Sequence, residues 1–263
     1  MEPDLSRFDT GVVDLAYTEW SGESPPIVFL HGLTGGRVIW YPRADLRSQQ
    51  RALAYDARGH GDSGRAASYR WTEFGEDAVR FVEGICGEPA ILIGHSLGAM
   101  TALYAAAQRP DLVKGAFLID PPLYAQYGLR DEKETFEQRR DLAGKPFDEL
   151  VAGGLPANQG AATVSKLDGN AVAAVLDGTA FDGWDTDTLL RAMECPVLLE
   201  HGERGSGKGV GASAIYEGEI ERATACIRQC TVVEIKGSGH IPMVQQPEEF
   251  NRVASEFVAQ MVR

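Results

Sequence analysis

Short runs of mostly apolar residues recur along the chain, separated by longer stretches that mix apolar and polar positions. An early segment, residues 13–17, alternates apolar and polar residues, as a half-exposed strand does. The later runs are continuous and end at polar or glycine residues, which is typical of buried parallel strands joined by helices. They cover residues 27–30, 52–55, 90–93, 115–119, 196–199 and 231–235. The pattern therefore predicts an α/β fold around a mostly parallel sheet.

Two stretches carry apolar residues at the spacing of a helix face. The first begins after Thr72, a residue type that caps helices, and the second ends the chain. A third helix is predicted over residues 97–108, because Pro110 would stop it. The two apolar faces are Phe74, Ala78, Phe81, Val82 and Ile85 in the first stretch, and Phe250, Val253, Phe257, Val258 and Met261 in the last.

The rhythm changes between residues 121 and 193, where no strong strand pattern occurs. Short helices are predicted over residues 129–142, 148–154 and 170–177. We therefore expect a helical cap, residues 121–193, inserted into a core domain formed by residues 1–120 and 194–263. Tyr124 and Trp184 stand near the two ends of this insertion, and we expect them to contact the substrate.

Charge and composition narrow the range of partners. The 263 residues include 25 Lys and Arg against 38 Asp and Glu, a net charge of −13. Such a surface repels phosphate backbones and anionic lipids, so we expect neither nucleic acid nor membrane as a partner. The first twenty residues show no secretory signal, which predicts a cytoplasmic protein. The four cysteines lack metal-ligand spacing and are expected to be reduced thiols.

The sharpest local motif is GHSLG at residues 94–98, directly after a predicted strand and before a predicted helix. A G-x-S-x-G sequence in this context places its serine on a tight strand-to-helix turn. The glycines leave room for that turn, and the serine Oγ stands exposed at a helix N-terminus, where negative charge is favoured. Ser96 is therefore a candidate nucleophile.

Each of three further motifs follows a predicted strand: HGLTGG at residues 31–36, DARGHGDS at 56–63 and GSGH at 237–240. Together with GHSLG, in this order, they resemble the α/β-hydrolase superfamily over nearly the whole chain outside the insertion. The resemblance implies an eight-stranded, mostly parallel sheet with the nucleophile at its carboxyl edge and a cap inserted after the sixth strand.

The resemblance also implies roles for individual residues. Ser96 is the nucleophile, and His240 is the base that takes its proton. The backbone N–H groups of Leu33 and Leu97 form the oxyanion hole. The DARGHGDS stretch resembles a structural turn of the family, and we assign it no catalytic role. No nucleotide-binding or zinc motif is present in the sequence, so neither a cofactor nor a metal is expected.

Two positions compete for the acid that orients His240. The usual family position follows the predicted strand at 196–199, but Gly205 stands where Asp is common, and Glu203 is the nearby carboxylate. Asp120 directly follows the preceding predicted strand, and haloalkane dehalogenases and fungal macrolactone hydrolases carry their acid there. We therefore predict Asp120 as the acid, with Glu203 in reserve. A structural role for Asp120, capping the turn at Pro121 and Pro122, is the alternative.

These assignments predict a cofactor-free serine hydrolase that cleaves a small carboxylic ester or lactone through an acyl-enzyme. Two alternatives use the same residues: hydrolysis of a C–C bond, and a hydrolase-fold ligand receptor with little turnover. The sequence makes no prediction of oligomeric state.

Overall fold

One eight-stranded sheet forms the centre of the computed structural model, which describes residues 4–42, 49–127, 133–203 and 213–263. In chain order the strands are β1 (Leu5–Asp9), β2 (Asp14–Trp20), β3 (Glu23–Leu30), β4 (Gln50–Tyr55), β5 (Ala90–His95), β6 (Val113–Ile119), β7 (Val197–Gly202) and β8 (Cys230–Ile235). Their order across the sheet is β1-β2-β4-β3-β5-β6-β7-β8. The two antiparallel pairings, β1 with β2 and β2 with β4, both involve β2, and the other five pairings are parallel, so the predicted mostly parallel sheet is confirmed.

The first strand is the one that the apolar pattern did not mark. Side chains of β1 alternate between exposed and half-buried, and Leu5 remains 46% exposed. An edge strand of this kind buries too little apolar surface to leave a hydrophobic run in the sequence. The other seven strands match the predicted runs, although β2 and β7 each begin one residue later than predicted, and all seven extend their runs by one to four residues.

Helices cover both faces of the sheet and fill the insertion. The α-helices are α1 (Trp71–Phe81), α2 (Leu97–Gln108), α3 (Lys133–Leu142), α4 (Phe147–Ala152), α5 (Ala162–Val164), α6 (Gly169–Asp177), α7 (Thr186–Ala192), α8 (Glu219–Thr224), α9 (Pro242–Gln245) and α10 (Pro247–Val262). Short 3₁₀ turns lie at Arg37–Trp40, Pro110–Leu112, Ala125–Tyr127 and Thr179–Phe181, and π turns at Val82–Cys86 and Ala157–Ala161.

Alternate residues of each central strand enter different cores. In β5, Leu92 packs in the core that α1 and α2 cover, whereas Ile91 and Ile93 pack in the core that α10 covers. Because both faces are buried, the central strands need apolar residues at every position, which is why they read as continuous runs. The five predicted apolar positions of the terminal helix are all buried against this second core.

The prediction that Thr72 is the N-cap of the first long helix is wrong. Helix α1 begins at Trp71, so Thr72 lies in its first turn. The N-cap residue is Arg70, and its backbone N–H donates to Oε2 of Glu73 at 2.9 Å. A carboxylate in the first turn therefore accepts this hydrogen bond at the N-terminus of the helix. The apolar face itself is as predicted, because Phe74, Ala78 and Phe81 are buried.

The segment between β6 and β7 contains helices α3 to α7 and no strand among its described residues. The helix predicted over residues 129–142 is α3, and its first four predicted positions lie outside the described residues. The helices predicted over 148–154 and 170–177 are α4 and α6, each within two residues of its expected ends.

All four cysteines are unpaired. Burial raises the pKa of the Cys86 thiol to about 12 and that of Cys195 to about 11, so both stay protonated at neutral pH. In the described ranges, no helix is long and apolar enough to cross a membrane.

Candidate active site

Ser96 sits on a strained turn between β5 and α2. Its backbone has φ 53° and ψ −117°, a conformation that non-glycine residues rarely adopt. A Cβ on Gly94 would clash with the backbone of Gly98, and a Cβ on Gly98 would clash with the backbone of Leu30. The turn is tied to β6, because the N–H of Ser96 donates to the carbonyl of Ile119 at 2.9 Å. The glycines of GHSLG are therefore required by the fold that presents the serine.

The structure brings Asp120 to His240. Nδ1 of His240 lies 2.6 Å from Oδ2 of Asp120. An ionised carboxylate can only accept, so Nδ1 carries the proton and, in the neutral ring, Nε2 is the basic nitrogen. Asp120 also has a positive φ, 42°, directly after β6. Among the described residues, two non-glycine residues thus have a positive φ, one at each of two neighbouring strand ends.

Asp120 is fully buried, yet several donors stabilise its charge. Its carboxylate accepts from the N–H of Ala214 at 2.7 Å, the N–H of Gly202 at 3.2 Å and Oγ of Ser213 at 2.6 Å. Burial alone would raise the pKa of the Asp120 carboxyl, but the hydrogen bonds from His240 and these donors hold it below its usual value. The ionised acid is therefore the form that the site stabilises.

Glu203 lies on the loop after β7 and has a different environment. Its side chain is exposed, and Oε2 accepts from the backbone N–H of Gly237 at 2.9 Å. Its own N–H donates to the carbonyl of Ser238 at 2.8 Å. Glu203 thus connects the β7 loop to the loop that carries His240, while Asp120 holds the position facing Nδ1.

The loop after β3 carries one half of the predicted oxyanion hole. Leu33 lies on this loop and Leu97 opens α2, and in the described parts of the chain neither N–H donates to a protein acceptor. A Cβ on Gly32 would lie 3.2 Å from Cβ of Ser96, so this loop passes directly beside the serine. Two unused donors therefore flank Ser96.

The DARGHGDS turn holds that loop in place. Asp56 is buried, and its carboxylate accepts from the backbone N–H of Arg37 at 2.8 Å and that of Asp62 at 2.9 Å. Nε2 of His60 lies 2.5 Å from the carbonyl of Leu33. These residues touch the loop rather than the cavity, in line with the structural role that the resemblance implies.

The remaining histidines are buried. Nε2 of His31 accepts from the N–H of Ala57 at 2.9 Å, and burial lowers the pKa of His31 to about 4. Nε2 of His95 donates to the carbonyl of His240 at 2.7 Å, and burial lowers the pKa of His95 to about 3. His201 is buried with Nδ1 2.7 Å from the carbonyl of Gly202. His240 differs from them, since its side chain is 20% exposed.

A cavity of about 290 Å³ opens in front of Ser96 and His240. One wall comes from the loop after β3 and from the segment around His240, and includes Val38, Ile39 and Val244. The other wall comes from the inserted segment: Pro122, Thr135, Phe136, Arg139, Gly160, Thr163 and Val164. Most of these side chains are apolar.

Tyr124 and Trp184, the predicted substrate contacts, are not among the residues lining this cavity. Tyr124 is buried and its hydroxyl donates to Asp187 at 2.9 Å. Trp184 is buried with its ring edge-on to Trp71, at 5.3 Å between centroids. Trp184 thus packs the insertion on the core, whereas the Tyr124 hydrogen bond joins the two ends of the insertion to each other. Proximity to the ends of the insertion was therefore a poor guide to contact with the cavity.

Sequence reasoning missed three features of this site. His95 received no role from the sequence, but it donates a hydrogen bond to the carbonyl of His240. Ser213 supports Asp120 from a distant loop, and no local sequence signal indicates this contact. Arg139 lies in the helix predicted over residues 129–142, and only its i, i+3 spacing from Phe136 could have placed it on the same face as that apolar residue. In the described residues, no group of three or more His, Cys, Asp or Glu could hold a metal ion.

Comparison with known proteins agrees with this architecture. The sequence model of the Alpha/beta hydrolase family matches residues 27–253. The 2-(acetamidomethylene)succinate hydrolase of Mesorhizobium japonicum is 28% identical over 274 residues, covering 96% of this chain and 94% of that protein. The 3-oxoadipate enol-lactonase 1 of Acinetobacter baylyi is 28% identical over 262 residues, covering 89% of each chain.

Solved structures show the same fold. A mutant N-acyl homoserine lactonase in complex with N-hexanoyl homoserine has a TM-score of 0.79 at 17% identity, covering 99% of this chain and 98% of that one. The sheet order, the strand-to-helix turn at Ser96 and a family match that spans most of the sequence lead to one conclusion: the chain belongs to the α/β-hydrolase family.

Proposed function

We propose that the protein is a serine hydrolase that cleaves a carboxylic ester or lactone through an acyl-enzyme. The observation that carries the proposal is the 2.6 Å contact between Nδ1 of His240 and the buried Asp120, beside a cavity that Ser96 also lines. Nucleophile, base and acid are thus supplied by the ends of β5, β8 and β6, which meet at one edge of the sheet.

The chemistry follows from the tautomer. Because Nδ1 donates to Asp120, Nε2 of His240 can take the proton of Ser96 Oγ as that oxygen attacks the acyl carbon. The oxyanion that forms is stabilised by the free N–H groups of Leu33 and Leu97. The imidazolium then protonates the departing alkoxide, and the ester bond to Ser96 remains. Water, deprotonated by the same Nε2, attacks this ester. The imidazolium then returns a proton to Oγ of Ser96 as its bond to the acyl carbon breaks and the acid is released.

The cavity and the relatives support small ester or lactone substrates. A volume of about 290 Å³ with mostly apolar walls suits a small molecule. One relative is named an enol-lactonase and one similar structure an N-acyl homoserine lactonase. We further propose that residues 121–193 act as the cap, because they supply the wall that faces the catalytic residues.

Turnover of a short p-nitrophenyl ester tests the proposal. An acyl-enzyme mechanism predicts continued release of p-nitrophenol over many equivalents, with an initial burst when deacylation is slow. A single stoichiometric burst without turnover would instead indicate a ligand receptor. Activity that EDTA abolishes and zinc or manganese restores would contradict a metal-free mechanism. A panel of lactones alongside the esters then separates the two substrate classes.

A further inference from the structure

Arg139 is the charged residue of the cavity wall. It lies on α3, is half-buried, and lines the cavity. Across the described ranges, no carboxylate or carbonyl accepts a hydrogen bond from this side chain. Burial lowers the pKa of Arg139 from its usual value, and no acidic neighbour opposes that effect. Arg139 therefore places a cation in the cavity that Ser96 and His240 also line, with no counter-ion among the described residues.

Other arginines of the chain show how unusual this is. Arg140, the next residue of the same helix, pairs with Asp141 at 2.8 Å on the outer surface. Arg58 forms a fully buried pair with Asp77 at 2.7 Å. A partly desolvated guanidinium is costly unless an anion neutralises it. In a chain with a net charge of −13, acidic side chains are abundant, yet none of the cavity residues is Asp or Glu.

We propose that Arg139 binds a carboxylate of the substrate, so that the preferred esters or lactones carry a negative charge in addition to the bond that is cleaved. This inference rests on the proposed function and specifies its substrate class. A guanidinium presents a planar set of N–H donors that matches a carboxylate and forms charge-assisted hydrogen bonds with it. The apolar residues beside Arg139, such as Phe136, exclude water and strengthen that contact.

Matched pairs of esters test the inference. Methyl butyrate and monomethyl succinate differ at the acyl end, where a terminal methyl group is replaced by a carboxylate. Ethyl acetate and O-acetylglycolate place the same difference on the alcohol side. The readout is the ratio of kcat/KM for the anionic ester to that for its neutral partner, measured by pH-stat titration. Wild type should favour the anionic member of at least one pair.

Arg139→Gln should lower that ratio roughly 10- to 100-fold, mainly through KM, as expected for the loss of a charge-assisted hydrogen bond. Arg139→Lys should restore part of the ratio. Arg140→Gln removes the same charge from the same helix and should leave the ratio unchanged, which controls for the overall field of the protein. A ratio that Arg139→Gln does not change overturns the inference while turnover itself continues to support the proposed function.

A binding measurement separates the two proposals if neither ester is hydrolysed. Monomethyl succinate is titrated calorimetrically into Ser96→Ala and into Ser96→Ala combined with Arg139→Gln. Binding that needs Arg139 supports the anion site even though the proposed hydrolysis has failed. Equal affinity of the two proteins, or no binding to either, overturns the anion site.

Discussion

The two walls of the cavity are built on different principles. On the sheet side, backbone geometry fixes the reactive groups: Ser96 and Asp120 occupy strained conformations at strand ends, and neighbouring backbone holds both. On the inserted side, helix α3 presents side chains such as Phe136 and Arg139 from an ordinary helical backbone. Substitutions on the inserted side can therefore change what binds without disturbing the sheet edge. The sheet side thus carries the reacting groups, and the inserted side selects the substrate.

The largest expected effect is that of Ser96→Ala, because it removes the attacking oxygen from the sheet side. We expect kcat to fall by about 10⁴-fold or more. The β5 sheet pairing should persist, since the change deletes one hydroxyl that is not buried. The check is ester turnover together with circular dichroism and thermal unfolding. Full activity in a folded Ser96→Ala protein would remove the serine from the mechanism.

Asp120→Asn should have the next largest effect. The amide keeps the shape but can donate toward Nδ1, which reverses the tautomer that the base requires, at a cost of about 10³- to 10⁴-fold in kcat. Glu203→Gln is the matched control, because it makes the same chemical change on an exposed side chain, and its kcat should stay within roughly tenfold of wild type. If Glu203→Gln is the inactive variant and Asp120→Asn is not, the assignment of the acid is wrong.

On the inserted side the expected effects are smaller and fall on KM. Phe136→Ala removes an apolar group from the cavity wall and should raise KM for an apolar ester roughly 3- to 10-fold, with kcat little changed. Tyr124→Phe is the contrasting variant outside the cavity. It should lower stability by about 0.5–1.5 kcal/mol through loss of the hydrogen bond to Asp187, while kcat/KM changes less than twofold. Steady-state kinetics and urea unfolding of both proteins test this division.

The smallest effect concerns pH, and it arises from the buried histidines of the sheet side. The pKa of His31 is lowered to about 4 and that of His95 to about 3, and burial also lowers the pKa of His60. Below about pH 6.5 the unfolded chain takes up protons that the folded protein does not, so stability is lost as pH falls. Glu200 and Asp77, whose carboxyl pKa values burial raises, act in the opposite sense.

Because three histidines outweigh two carboxyl groups, the free energy of unfolding should decrease from pH 7 to pH 5.5. Urea unfolding across that range measures the slope. Glu200→Gln should make the decrease steeper, since it removes one of the opposing groups. A free energy of unfolding that rises toward pH 5.5 in the wild type would contradict these pKa shifts.

The sequence predicts the sheet side of the cavity better than the inserted side. The strands, the turn at Ser96 and the position of Asp120 could be predicted because steric and burial requirements restrict which residues fit there. Tyr124 and Trp184 were misplaced because large apolar side chains pack equally well against a core or around a ligand, and the sequence does not distinguish the two. Arg139 was missed because its proposed role depends on its having no carboxylate counter-ion among the described residues. Only the three-dimensional packing shows this.

The most direct test of the central claim is covalent labelling by a fluorophosphonate, followed by peptide mass spectrometry. The probe reacts with a serine that an adjacent base activates and that donors on its oxyanion side support. We expect one label per chain, located at Ser96, absent from Ser96→Ala and formed much more slowly in Asp120→Asn than in Glu203→Gln. Labelling at another residue, or no labelling of the wild-type protein, would contradict the assignment of Ser96, His240 and Asp120 as one catalytic unit.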